Sequence, residues 1–116
     1  MILIPHYKIR RTNIMKAIIA KKLYDTDTAK EIAERWNGRG TSDWGYLREV
    51  LYQKKNGEFF LHGDGGPMTE YREECGNRMY CGSEKIIPFT VEEAKDWVEE
   101  YSNADTYIEL FGDVEE

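Results

Sequence analysis

The dipeptide Asn56-Gly57 constrains the fold of this chain more than any other short feature. It lies between two runs rich in aromatic and aliphatic residues. Asn and Gly both tolerate the positive φ angles of a two-residue type I′ turn, so the pattern predicts a β-hairpin. Such a turn would place Tyr52 opposite Leu61. The chain should therefore contain an antiparallel sheet centred on this hairpin.

The predicted register divides the hairpin strands, 46–55 and 58–63, into two faces. One face is mostly apolar and is expected to pack on the core; it carries Tyr46, Val50, Tyr52, Phe59 and Leu61. The other face mixes polar and apolar residues, and it carries Leu47, Glu49, Leu51, Gln53, Phe60 and His62. A mixed face of an antiparallel sheet is partly solvated or is reserved for a partner.

Three segments carry helix signals, with an N-cap residue followed by apolar residues at spacings of three and four. The first two begin with a capping box, Thr28 with Glu31 and Thr90 with Glu93. Asn103 is the expected N-cap of the third. The predicted helices occupy 28–36, 91–101 and 103–111.

The remaining segments complete an α+β prediction. Residues 16–24 form one short strand or a tight hairpin through Lys21-Lys22, and 84–89 form a strand. Residues 64–83, rich in glycine, form a long loop. The predicted order is β-α-β-β-β-α-α, with an antiparallel sheet built on the central hairpin and helices packed on one face.

A chain of 116 residues predicts a single domain, here residues 15–116. Residues 1–14 differ in composition from the rest, because they hold three basic residues and no acid, and we expect them to be a non-core N-terminal extension. The alternative is a genuine N-terminal strand built on Ile2, Leu3 and Ile4.

We expect an acidic protein that is located in the cytoplasm and uses no cofactor or metal. The net charge is −6, and no apolar run is long enough to span a membrane. Residues 1–14 lack the pattern of an export signal. Cys75 and Cys81 are therefore expected to be reduced thiols. Their spacing supplies only half of a zinc ligand set.

The acidic charge is concentrated in the C-terminal quarter, where Lys95 is the single basic residue among ten acids from position 90 onward. Repulsion among these carboxylates lowers the stability of the helices, so the negative charge is a candidate for a functional role. It could occupy a basic groove made for nucleic-acid phosphates. The predicted partner-binding residues here are Glu92, Asp96, Glu99, Glu100, Asp105 and Glu109.

Two further residues are predicted to bind a partner. Trp44 lies in a loop, where its ring could stack on a base, although neighbouring aromatic residues are more typical of a core. Asp64 opens the glycine-rich segment. It also belongs, with His62, to the only arrangement that resembles a catalytic pair: a general base oriented by a carboxylate, with glycine amides receiving a phosphate. The simpler interpretation is a strand end followed by a turn.

Several blocks of this sequence resemble small proteins encoded by phages and conjugative elements of Firmicutes. The blocks are 23–33, 51–67 and 82–88, followed by Glu92-Glu93-Ala94-Lys95. The resemblance covers nearly all of residues 15–112 but not the basic N-terminal segment. Some related members resemble anti-CRISPR proteins that act on type II effector nucleases. The resemblance transfers no catalytic residue to this chain.

The leading expectation is therefore a non-enzymatic inhibitor from a mobile genetic element. It would bind a type II CRISPR effector nuclease or its guide RNA, and block assembly or nucleic-acid binding. One alternative is a ribonuclease-like enzyme that uses His62 and Asp64. Another is a regulatory interaction module unrelated to CRISPR.

Overall fold

The computed structural model describes residues 14–112 and 114–116. The strands in this part of the chain are β1 (Lys16–Ile19), β2 (Lys22–Asp25), β3 (Lys30–Trp36), β4 (Leu47–Gln53), β5 (Phe59–Gly65), β6 (Glu73–Gly76), β7 (Met79–Cys81) and β8 (Ser83–Phe89). The helices are α1 (Val91–Tyr101) and α2 (Ala104–Phe111). The α+β prediction is confirmed. The proposed strand at Ile2, Leu3 and Ile4, and positions 1–13 of the predicted extension, lie outside the described residues.

The main sheet is antiparallel, with the strand order β3-β4-β5-β8. The predicted central hairpin is its β4–β5 pair, and β8 is the predicted strand at 84–89. Pro88 lies in β8 at the sheet edge, where its missing N–H costs no hydrogen bond. The strands β1 and β2 form a separate hairpin, as do β6 and β7.

The turn of the central hairpin differs from the predicted type I′ turn. Gly57 N donates to Lys54 O at 2.9 Å, and Lys54 N donates to Glu58 O at 2.8 Å. Gly57 has φ 94°, whereas Asn56 does not have positive φ. These features define a three-residue loop, a type I turn followed by a glycine bulge. The extra loop residue shifts the register by one position.

This shift changes which residues share a face, so the predicted faces were wrong. Leu51 lies opposite Leu61, and Tyr52 lies opposite Phe60. Leu51, Leu61 and Phe59 form one apolar cluster with the helices. Tyr52 and Phe60 belong to a second cluster on the other face, which β1 and β2 help to cover. Both faces of the hairpin are therefore packed.

The segment predicted as the first helix is strand β3, so that prediction was wrong. Residues 30–36 pair with β4 along its length, with one irregularity between Glu31 and Ala33. Ile32 and Ala33 pack against the helix-side cluster, whereas Trp36 is 57% exposed. The capping-box signal is local, and pairing with the free edge of β4 overrides it.

Residues 16–24 were predicted to form either one short strand or a tight hairpin, and the hairpin is confirmed. Its turn is Ala20-Lys21, one residue earlier than expected. Ala20 has φ 52° and Lys21 has φ 67°. The type I′ geometry expected at Asn56-Gly57 is thus found here instead.

The two C-terminal helices begin and end as predicted. Thr90 and Glu93 form the capping box of α1. Asn103 accepts from Thr106 N at the start of α2, and Gly112 follows its end. The buried side of α1 carries Ala94, Trp97 and Val98, which pack on the sheet.

The segment 64–83 is more ordered than a long loop, because Tyr71 fixes it to the sheet. Tyr71 is 2% exposed and lies over Gly63 of β5. A Cβ atom at Gly63 would come within 1.9 Å of the Tyr71 ring. Ser83 Oγ also donates to the carbonyl of Tyr71. Gly63 is therefore required by packing and not by a bound ligand.

We expect Gly63→Ala to lower the free energy of unfolding by at least about 2 kcal/mol, because the new methyl group must displace a buried aromatic ring. Gly40→Ala is the matched control, since no atom lies within 4 Å of a Cβ built there. That control should stay within about 0.5 kcal/mol of wild type. Chemical denaturation measures both, and equal effects of the two substitutions would contradict this account.

Candidate functional site

Glu49 is a buried carboxylate at the centre of the helix-facing side of the sheet, with 3% exposure. It accepts hydrogen bonds from Arg35 Nε at 2.8 Å, from Trp97 Nε1 at 3.0 Å and from the hydroxyl of Tyr71. A buried charge is tolerated only when it is paired and hydrogen-bonded. Its partners come from β3, α1 and the segment after β5, so this one group connects three parts of the fold to β4.

Burial acts to raise the pKa of Glu49, because a poorly hydrated surrounding disfavours the charged form. The hydrogen bonds from Tyr71, Arg35 and Trp97 outweigh burial, so the pKa is lowered from its ordinary value of 4.5. The pKa of Tyr71 is raised, by burial first and then by the Glu49 carboxylate. Glu49 is therefore a fully paired anion with a structural role.

We expect Glu49→Gln to lower the free energy of unfolding by about 3 kcal/mol near neutral pH, because Arg35 loses its buried counter-ion. Since the folded-state pKa of Glu49 is depressed, its ionised form contributes stability that is present above pH 4.5 and is lost as the pH falls through the folded-state pKa. Stability should thus fall less on acidification in the variant than in wild type.

Denaturant titrations at neutral and acidic pH measure this difference. Glu73→Gln, at an exposed position in β6, is the matched control and should keep the wild-type acid dependence. An unchanged acid dependence in Glu49→Gln would show that Glu49 is not the titrating group.

The outer side of the two helices is an acidic surface. We define the acidic helical surface as the exposed carboxylates Glu92, Asp96, Glu99 and Glu100 of α1 and Asp105 and Glu109 of α2. These are the six helical residues predicted to bind a partner, and the structure brings them to one layer. Lys95 lies among them, but it pairs with Glu92 at 3.6 Å and faces the Phe111 ring. The negative charge is therefore largely uncompensated within this layer.

The other two predicted partner-binding residues lie elsewhere. Asp64 of β5 lies opposite Arg48 of β4 in the strand register. Both residues are on the face of the sheet opposite to the one that carries Glu49 and the helices. Trp44 lies in the loop before β4, and its side chain is 67% exposed. The carbonyl of Trp44 accepts a hydrogen bond from Met68 N, which ties this loop to the segment after β5. The predicted residues thus form at least two separate surfaces.

His62 has a carboxylate partner, but the partner is not the predicted one. His62 Nε2 lies 2.9 Å from Glu84 Oε1 of β8. Asp64 is the cross-strand neighbour of Glu84. Sequence reasoning missed Glu84 because it lies far from His62 along the chain. Only the register of β5 against β8 brings the two side chains together.

The pKa of Asp64 is raised, mainly by burial and then by the negative charge of Glu84, while His62 and Arg48 act in the opposite direction. A carboxyl with a raised pKa beside a histidine is a feature of catalytic sites. His62, however, is only 7% exposed, and its Nε2 atom is already in contact with the Glu84 carboxylate. A general base must reach its substrate, and this geometry offers little access.

The glycines after His62 serve close packing and do not form an anion cradle. A Cβ at Gly66 would lie 2.5 Å from the carbonyl oxygen of Trp44, and one at Gly65 would lie 2.3 Å from Thr69 Oγ1. Gly66 N already donates to Tyr46 O at 2.9 Å. Gly63 and Gly65 lie within β5, between two paired strands. The predicted phosphate-receiving amides are therefore engaged in the fold.

The prediction that the two cysteines are reduced thiols was wrong. Cys75 and Cys81 are joined in a disulfide, not kept as two thiols. The bond staples the β6–β7 hairpin, whose residues are exposed. The pairing follows from the hairpin, which brings two positions that are six residues apart into contact. Within the described residues, no group of three or more His, Cys, Asp or Glu side chains could hold a metal ion.

Comparison with known proteins found no match to this chain. No protein-family model matches the chain. No curated protein shows significant similarity to it. No solved structure matches it significantly. Of the two helices in the described residues, neither is long and apolar enough to cross a membrane.

Proposed function

We propose that this protein is a non-enzymatic inhibitor from a mobile genetic element, which binds a type II CRISPR effector nuclease or its guide RNA. Binding would block assembly of the complex or its access to nucleic acid. The resemblance of the sequence blocks to phage and conjugative-element proteins suggests this class of target. The proposed place of action is the cytoplasm of the bacterial host, a reducing compartment in which the Cys75–Cys81 disulfide would be reduced to two thiols.

The observation that carries the proposal is the acidic helical surface. Its six carboxylates are exposed, and Glu92 is the one that forms an ion pair, with Lys95, so most of the negative field extends into solvent. Proteins that hold nucleic acid do so with basic grooves, and a negative surface is complementary to such a groove. Helix α1 is anchored to the sheet, because Trp97 donates a hydrogen bond to Glu49 and packs in the core beside Ala94 and Val98. A rigid acidic layer loses little conformational entropy on binding.

Reversing three of these charges should weaken association without unfolding the protein. We expect Asp96→Lys, Glu99→Lys and Glu100→Lys together to reduce binding to the effector nuclease at least about tenfold at physiological salt, because attraction becomes repulsion. The last turn of α1 has no basic residue, so lysines there suit the helix dipole. Co-elution with the purified nuclease, with and without guide RNA, measures the effect.

A matched control changes the same amount of charge elsewhere. Glu70, Glu73 and Glu74 are exposed and lie in or beside the β6–β7 hairpin. Their triple reversal to lysine should leave binding near the wild-type value. Equal losses in both variants would assign the effect to net charge alone. Wild-type protein that fails to bind the nuclease in either state would favour a regulatory module unrelated to CRISPR.

The contact between His62 and Glu84, with Asp64 alongside, keeps a ribonuclease-like alternative open to experiment. We expect guide RNA to stay intact on incubation with wild-type protein, because His62 is buried and engaged. Gel electrophoresis over time tests this. If RNA fragments accumulate with wild type and disappear with His62→Ala and with Glu84→Gln, the binding proposal gives way to a nuclease. Circular dichroism on both variants checks that they are folded.

A further inference from the structure

The corner between α1 and α2 contains a groove that is apolar at its base and acidic at its rim. We define the helix-corner groove by the residues that line it: Glu99, Ser102, Asn103, Ala104, Tyr107, Ile108 and Val114. Ile108 is 43% exposed and Val114 is 56% exposed. None of the residues of α2 is fully buried, although the helix is rich in apolar residues. Part of its apolar surface therefore remains uncovered by the described residues.

Two of the polar groups among the lining residues are engaged in helix capping. Asn103 Oδ1 accepts from Thr106 N at 2.8 Å. Ser102 N donates to Val98 O at 2.9 Å. What remains accessible is mainly hydrocarbon, supplied by Tyr107, Ile108 and Val114. A ligand for this groove would therefore gain mainly by burying an apolar side chain.

The rim of the groove is negatively charged. Glu99 lines it directly, and its carboxylate has no hydrogen-bond or ion-pair partner among the described residues. Two more members of the acidic helical surface, Glu100 and Asp105, are adjacent in sequence to residues of the lining. Lys95 faces the Phe111 ring and pairs with Glu92, and is absent from the groove lining. The lining contains no lysine or arginine that could pair with a phosphate.

We propose that the helix-corner groove receives a single aliphatic side chain from a lysine- or arginine-rich segment of a protein partner. This inference rests on the proposed function and narrows it, because it assigns the contact to protein and not to guide RNA. Charge complementarity selects the partner: the acidic rim attracts basic residues on both sides of the anchor and repels a phosphate backbone. The anchor side chain would supply a desolvated centre, and the ion pairs would form a solvated edge.

Short peptides test the inference without the nuclease. The probes are a lysine-rich peptide with one central leucine, the same peptide with serine in place of leucine, and a single-stranded RNA of similar length. Fluorescence anisotropy measures their binding to wild type, to Ile108→Ser and to Ile18→Ser. Ile18 is an exposed isoleucine of β1, at 69% exposure, and serves as the matched control.

We expect the leucine peptide to bind wild type and Ile18→Ser equally and to bind Ile108→Ser about tenfold more weakly, a difference of about 1.4 kcal/mol. The serine peptide should bind wild type with a similar loss, and RNA should not bind. Indistinguishable binding by Ile108→Ser and wild type, tighter binding of RNA, or no binding of the leucine peptide would each overturn the inference. Leucine-peptide binding by a protein that ignores the nuclease would overturn the proposed function while leaving the groove assignment intact.

Discussion

The arrangement of this protein depends on the hydrogen bonds that the buried carboxylate of Glu49 accepts. It receives hydrogen bonds from a neighbouring strand, from the first helix and from the segment after β5, through Arg35, Trp97 and Tyr71. Removing any one donor would leave part of a buried charge unpaired, which costs more than an ordinary hydrogen bond contributes. The helix layer and the glycine-rich segment are therefore positioned by the same group.

The packing of Tyr71 explains a sequence feature that otherwise resembles a ligand-binding loop. The ring lies where a side chain at position 63 would be, so only glycine fits. The next glycines allow backbone segments to approach each other. The glycines at 63, 65 and 66 therefore serve close packing. His62 contacts the Glu84 carboxylate on the adjacent strand.

Much of the exposed acidic charge of the described residues lies on the outer side of the two helices. The interior charge at Glu49 is fully paired, whereas the carboxylates of the two helices point to solvent. Because the apolar sides of these helices face the sheet, the acidic sides are exposed on the outer layer of the fold. A field of this kind acts on partners at a distance of about a Debye length, roughly 8 Å at physiological ionic strength. This separation of roles is the basis of the proposed binding function.

The sequence by itself determined the central hairpin, the edge strand with Pro88 and both C-terminal helices, because capping residues and strong turn signals act over a few residues. It also determined that the C-terminal helices are acidic. The tertiary structure alone decided that 30–36 is a strand, since pairing with β4 outweighs a local capping box. It decided the hairpin register, because one extra loop residue exchanges the two faces. It also decided the contacts of Glu49 and of His62 with Glu84, since these residues meet only through strand pairing and helix packing.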